Sequence, residues 1–214
     1  MELRTYIHTA SSIVKILDLQ DLKITQKINI HASLLLTARL LEESQTNLIR
    51  ATKALDIIEV AVEGTKYETL FKGVIKNIQI QRKDGHYFLI VEALSSSYLA
   101  DIEVNSRSFQ DKDETYKSIV DKVIKTPFSK GDSSYKIGQI DDRATNNKTI
   151  DEFIMQYNET DWEFIKRMSS RFYLGLVPAI AFDKPYITMG IPIGNDVGNI
   201  EKYNFIARKD LQKY

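Results

Sequence analysis

The sequence contains no cysteine, which excludes disulfides, thiolate nucleophiles and cysteine-based zinc sites together. Charge of neither sign is in excess: 29 Lys and Arg stand against 29 Asp and Glu. A nucleic-acid-binding chain draws its affinity from a basic excess that neutralises phosphates, so no nucleic-acid partner is expected. Long apolar runs are missing too. The greasiest stretch, Leu34 to Leu41, is interrupted by Thr37 and Arg39, well short of the roughly 20 residues a membrane helix needs. Met1-Glu2-Leu3-Arg4 does not open a basic stretch followed by an apolar core, so no signal peptide is read there. The chain reads as soluble, with no direct insertion into a membrane.

Histidine is scarce. His8, His31 and His86 lack the mutual spacing of metal ligands, and His86 sits beside a turn signal. Neither a metal nor a cofactor is expected. Gly190, Gly194 and Gly198 recur every four residues, but no strand and helix flank them as a phosphate loop requires. No internal repeat or low-complexity segment is visible.

What is present is an ordinary globular composition, 43% hydrophobic and 27% charged over 214 residues, enough to bury a core. The first hundred residues read as strands. In Leu22 to Ile30, Ile24, Ile28 and Ile30 share one parity, the period of a strand with one buried face. Leu34 to Leu41 follows. In Leu55 to Val62, Ile57 and Ile58 blur the alternation as in a strand covered on both sides. Glu63-Gly64-Thr65 reads as a turn, and Leu70 to Gln81 as the next strand. Asp84-Gly85 then marks a tight hairpin, because a two-residue loop wants positive φ at both positions. That turn pairs Ile80 with Leu89 and Ile78 with Val91 on an apolar face. It sets Gln81 against Phe88 and Gln79 against Ile90 on the other.

After Asp101 the period lengthens. Tyr116, Ile119, Val120, Val123 and Ile124 form one stripe of an amphipathic helix. Asp111 or Asp113 is expected to cap it, Thr126-Pro127 to close it, and Asp121 to pair with Lys125. Ser129 to Lys148 reads as loop, with one short strand at Tyr135 to Ile140. A short apolar stretch, Ile150 to Met155, precedes a second helix. Thr160 and Glu163 fit its capping box, and Trp162, Ile165, Met168 and Phe172 its buried stripe, with Phe164 beside it. Strands are expected at Leu176 to Phe182, Tyr186 to Met189 and Tyr203 to Ala207. The fold class is α+β, mainly β.

Two segments are more specific. Asn105-Ser106-Arg107-Ser108-Phe109-Gln110-Asp111-Lys112 stands just before the first helix. Gln156-Tyr157-Asn158-Glu159-Thr160-Asp161-Trp162-Glu163-Phe164-Ile165-Lys166-Arg167 opens the second. In this order, after a strand reading Phe71-Lys72-Gly73-Val74-Ile75, they resemble the signature segments of the VgrG and phage late-control-protein-D family of tail hubs and injection-system spikes.

The resemblance implies a hub-ring β-barrel over 1–104, an α/β domain with both helices over 105–198, and the beginning of a second, incomplete barrel over 199–214. Three copies with two barrels each would ring an axis, matching a six-fold tail tube above and a three-fold spike below. The implied partners are other copies of the chain, a tail tube protein, a spike protein and other baseplate proteins. The implied setting is assembly in the bacterial cytoplasm into a phage particle or phage-tail-like injection apparatus. The implied role is structural, not enzymatic. Arg107, Phe109, Gln110, Asp111, Gln156, Tyr157, Glu159, Asp161, Trp162, Phe164 and Arg167 are its motif positions, candidates for structural or interface roles.

Two rival readings follow from particular residues. Glu159, Asp161 and Glu163 offer the carboxylates of a cell-wall hydrolase, against which stands the stabilisation of acids at a helix N-terminus. Lys66-Tyr67 and Arg82 near Tyr87 offer a thin basic and aromatic pattern for an OB-like barrel binding single strands or glycans. Trp162 is read as core before interface, Tyr157 stays open between the two, and Arg167 awaits a carboxylate.

Overall fold

The computed structural model describes residues 2–9, 12–14, 16–40, 56–63, 68–125, 139–142 and 145–190. Seven antiparallel strands form one sheet: β1 (Glu2–Thr9), β2 (Ser12–Val14), β3 (Ile16–Lys27), β4 (Ile30–Leu40), β5 (Ile57–Glu63), β6 (Glu68–Lys83) and β7 (His86–Ser95). Their order is β2-β1-β5-β6-β7-β4-β3. β2 and β3 stand at opposite ends of that order, yet Val14 and Ile16 are two steps apart in the chain, at most about 7 Å. The sheet therefore curls until its end strands meet at this corner. Among the described residues no ladder joins β2 to β3, and the wall is a curled half-barrel.

Alternation builds the concave face. Ala32, Leu34, Leu36, Ala38 and Leu40 of β4 point inward with Leu89, Val91 and Ala93 of β7, Ile58 and Val60 of β5, and Phe71 and Ile75 of β6. On β5 the alternation blurs because Glu59 and Ala61 on its other face are buried as well. The Asp84-Gly85 hairpin forms with positive φ at both residues, and the register is Ile80 to Leu89, Ile78 to Val91, Gln79 to Ile90 and Gln81 to Phe88. Local turn chemistry and side-chain parity agree there, so the pairing could be read ahead of the fold.

The alternation from Leu22 predicts a strand running on to Ile30, but β3 stops at Lys27. Ile28 and Asn29 form the turn between β3 and β4, and Ile28 and Ile30 are 61% and 56% exposed. Asn29 takes a positive φ there, which asparagine tolerates at low cost and which ends the alternation.

Gly73, in the motif strand β6, shows why that position takes no side chain. A Cβ on it would stand 2.1 Å from the Leu94 carbonyl oxygen and 2.9 Å from the Phe71 ring. Because the obstruction is backbone of the paired strand, Gly73→Ala should destabilise the protein by about 1–3 kcal/mol, seen as a lower urea midpoint.

A 3-10 helix (Ser96–Asp101) leads from β7 into β8 (Val104–Phe109), then α1 (Tyr116–Ile124), β9 (Gln139–Asp142), β10 (Ile154–Thr160), α2 (Asp161–Ser170), β11 (Leu176–Pro178) and β12 (Tyr186–Met189). β8 pairs with β10, and β11-β12-β9 make a small mixed sheet. The stripes of α1 and α2, from Tyr116 to Ile124 and from Trp162 to Met168, close a second apolar core with Phe109, Ile154, Leu176, Ile187 and Met189. Asp121 and Lys125 do pair across one turn of α1, at 3.9 Å. The cap of α1 is Thr115, whose hydroxyl accepts the Ser118 N–H at 3.1 Å, not Asp111 or Asp113. Asp111 instead accepts the Asp113 N–H in the preceding turn; both acids lie too early to reach the first helical amides.

The two cores meet at the β3–β4 turn. Asn29 N donates to the Leu176 carbonyl while its own Oδ1 accepts from Leu176 N, both at 2.8 Å. Gln26 Nε2 donates to the Pro178 carbonyl at 2.7 Å, and Lys72 N to the Ile180 carbonyl at 2.6 Å. The expected turn at Gly64-Thr65, the stop at Thr126-Pro127, the glycine-bearing segment after Gly190 and the strand at Tyr203 to Ala207 lie outside the described residues.

Candidate functional site

The two motif segments become one structure. β8 carries the first and β10 with the start of α2 carries the second, joined by an antiparallel ladder in which Gln156 faces Arg107. Between Gln156 and Glu159 the register slips by one residue, with Asn158 at positive φ. Tyr157 shares the outward parity of Met155, and the bulge bends the strand into the helix.

Beneath the ladder lies a charged cluster. The Asp161 side chain is fully buried, and its Oδ1 accepts from Arg107 Nη1 at 2.6 Å, Asn105 Nδ2 at 3.0 Å and Gln156 Nε2 at 3.0 Å. Arg107 Nη1 also donates to Gln156 Oε1 at 2.6 Å, and Gln156 Nε2 to the Glu159 carbonyl at 3.1 Å. A buried carboxylate is tolerable only with such compensation, and Asp161 gains more from the positive end of α2, where it is the first residue. The Thr160 hydroxyl caps that helix by accepting the Glu163 N–H at 3.1 Å.

The other motif residues divide between core and surface. Phe109 and Phe164 pack together with ring centroids 5.7 Å apart. Trp162, 2% exposed, lies against the His31 ring at 4.2 Å. Arg167 finds its carboxylate in Glu159, also donates to the Met155 carbonyl at 2.7 Å, and covers the Phe164 ring. Gln110 and Asp111 are exposed in the turn after β8. Tyr157 is 72% exposed, in a row with exposed Met155 and Phe153, and Val104 is exposed on β8.

This arrangement does not suit acid–base hydrolysis by these carboxylates. Glu159 is engaged by Arg167 and Asp161 is sealed among Arg107, Asn105 and Gln156, whereas a glycosidase pair must both reach a sugar. Glu163 is held by Lys166 at 2.7 Å. No cluster of three or more metal-ligating side chains occurs among the described residues. Arg82 does stand over the Tyr87 ring at 5.5 Å, at the hairpin, but Lys66-Tyr67 lies outside the described residues.

Residues 30–171 match the phage tail baseplate hub (GPD) family. The chain belongs to this family. The match spans both motif segments and the junction between the cores. A search of curated proteins gives no match to the sequence. Solved structures share the fold. A 43 kDa prophage tail protein from Shewanella oneidensis superposes with a TM-score of 0.61 at 13% identity, over 87% of this chain and 53% of that one. A tail protein of Neisseria meningitidis gives 0.56 at 12% identity, over 87% and 50%. An E. coli component of the type VI secretion system, described as similar to bacteriophage T4 tail proteins, gives 0.56 at 13%, over 88% and 49%. The chain thus spans about half the length of the tail proteins it matches.

One cluster escaped the sequence reading. His31 of β4 holds Ser97 through Nδ1 at 2.9 Å and Asp101 through Nε2 at 3.2 Å, and Thr160 donates to the other Asp101 oxygen at 2.5 Å. Ser97, His31 and Asp101 are the residue types of a hydrolase triad, but the ring is reversed, with Nδ1 toward the serine and Nε2 toward the aspartate, and Ser97 is buried. Separations of 66 and 70 residues leave no local signal by which a sequence scan could find it.

Proposed function

We propose that this hub protein works by geometry alone: three copies form a ring that joins a six-fold tail tube to a three-fold spike, without a catalytic step. In this reading residues 1–104 are the ring-forming barrel, 105–198 the α/β domain, and 199–214 lead into a second barrel. Tail tube, spike and other baseplate proteins are its neighbours, and assembly takes place in the bacterial cytoplasm. The observation that carries the proposal is the inward use of the family motif. Its Arg107, Gln156 and Asp161 bond to one another beneath β8 and β10, and Gln156 and Asp161 are fully buried there.

The outer face of the same strand pair supports contact between copies. Val104, Phe153, Met155 and Tyr157 are exposed there, with Ser106 and Ser108 between them and no charged side chain on that face of either strand. Interface centres are depleted of charge and enriched in aromatics and methionine. A second copy of the chain is the occupant this reading requires. Sedimentation over a concentration series should show a trimer, and Tyr157→Asp should shift it to monomer at least tenfold more readily with an unchanged melting temperature. A wild-type chain that stays monomeric at high concentration would sink the ring.

A further inference from the structure

His31 stands where the curled sheet, the 3-10 helix and α2 meet. The bonds around it run in one direction. Ala32 N–H donates to Ser95 Oγ at 3.1 Å, and Ser95 Oγ lies 2.8 Å from Ser97 Oγ. Ser97 Oγ is 2.9 Å from His31 Nδ1, His31 Nε2 is 3.2 Å from Asp101 Oδ2, and Thr160 donates to Asp101 Oδ1. Asp101 is an acceptor at one end, and the Ala32 amide is a donor at the other. Each hydroxyl has one hydrogen, so one assignment satisfies the row: Ser95 donates to Ser97, Ser97 to Nδ1, and Nε2–H to Asp101.

That assignment requires a neutral ring with its hydrogen on Nε2. A proton added at Nδ1 would turn its hydrogen toward Ser97 and force the Ser97 hydroxyl round onto Ser95. The Ser95 hydrogen would then lose Ser97 as acceptor, and its other partner, the Ala32 amide, is itself a donor. Ala32 and Ser95 are both fully buried, where a displaced polar hydrogen is costly.

We propose that His31 is a proton-sensitive latch, closed when neutral, that ties the curled sheet to the helical half through Asp101, Thr160 and Trp162. Asp101 and Tyr98 face it from the 3-10 helix, Glu163 and Lys166 from α2, and Lys76 of β6 binds the far side of Tyr98 at 2.6 Å. Burial lowers the pKa of His31 from 6.5, outweighing the opposing pull of Asp101, while Lys166 adds to the lowering. Above pH 6.5 the ring is neutral folded or unfolded, and the latch contributes in full. As pH falls below 6.5 the unfolded chain takes the proton first, and stability is lost until the folded ring titrates.

The latch concerns contacts inside one chain and stands whether or not copies form a ring. Nitrogen NMR of labelled histidine in the wild-type protein tests it without any substitution. At pH 7.5 His31 should carry hydrogen on Nε2 and none on Nδ1, and its midpoint should lie below 6.5. Between pH 7.5 and 5.5, amide protection factors, which refer each exchange rate to the intrinsic base-catalysed rate at the same pH, should fall across residues 31–32, 95–101 and 160–165, by at most about tenfold. His31→Gln should abolish that fall in protection. Hydrogen on Nδ1, a midpoint at or above 6.5, or unchanged protection factors on acidification would each overturn the proposal.

Discussion

Arg107→Leu is expected to lower the unfolding free energy by about 3–5 kcal/mol, measured by urea denaturation at pH 7. The variant keeps an apolar side chain of similar reach but withdraws the guanidinium from a carboxylate with no exposed surface. Asn105 and Gln156 would still donate to Asp161, but dipoles do not replace a full charge in a dry site. Replacing both partners should cost less than the two single losses summed, because the double variant leaves no buried charge behind. A coupling close to zero in that cycle would show that the cluster is an incidental contact.

Trp162→Ala should be comparably severe, about 3–5 kcal/mol. The indole is the only tryptophan in the chain and fills the space between α2 and His31, with the Tyr98 ring on the far side of the imidazole. Loss of it opens a cavity at the junction of the two cores, where backbone already committed to β4 and the 3-10 helix limits collapse. Trp162→Phe should recover most of the stability, since it retains an aromatic ring against His31. Circular dichroism melts would read both variants. A change below about 1 kcal/mol in the alanine variant would mean the junction repacks freely, contrary to a rigid seam.

The contrast between these residues shows how far local pattern carries. The hairpin at Asp84-Gly85 was legible because its turn residues and its alternation are contiguous in sequence. The buried stripes of both helices were legible for the same reason. Ile28 was misplaced because parity continues through a turn that only Asn29, in a conformation seen in the fold, brings about. The cap of α1 was misassigned because several side chains before Tyr116 carry a suitable oxygen, and only backbone direction selects Thr115.

The candidate site repeats the lesson at longer range. Both motif segments were recognisable as segments, and Trp162 as a core residue. That Arg107 reaches Asp161 across 54 residues, and that Glu159 receives Arg167, depended on the β8–β10 pairing and its bulge. Tyr157 was undecidable in the sequence because an aromatic beside a helix start serves core and interface alike; the pairing of β10 with β8 puts it on the outward face with Met155.

By itself, then, the sequence determined the class of the fold, the period and most of the register of the Asp84-Gly85 hairpin, the faces of its two helices, and a family signature. Those features follow from interactions within a few residues or from strict alternation. The tertiary structure decided the curl of the sheet, the burial of Asp161 with its three donors, and the one-way row of hydrogen bonds at His31. Each needs groups far apart in the chain to arrive at one place with water excluded, and no local pattern specifies that arrival.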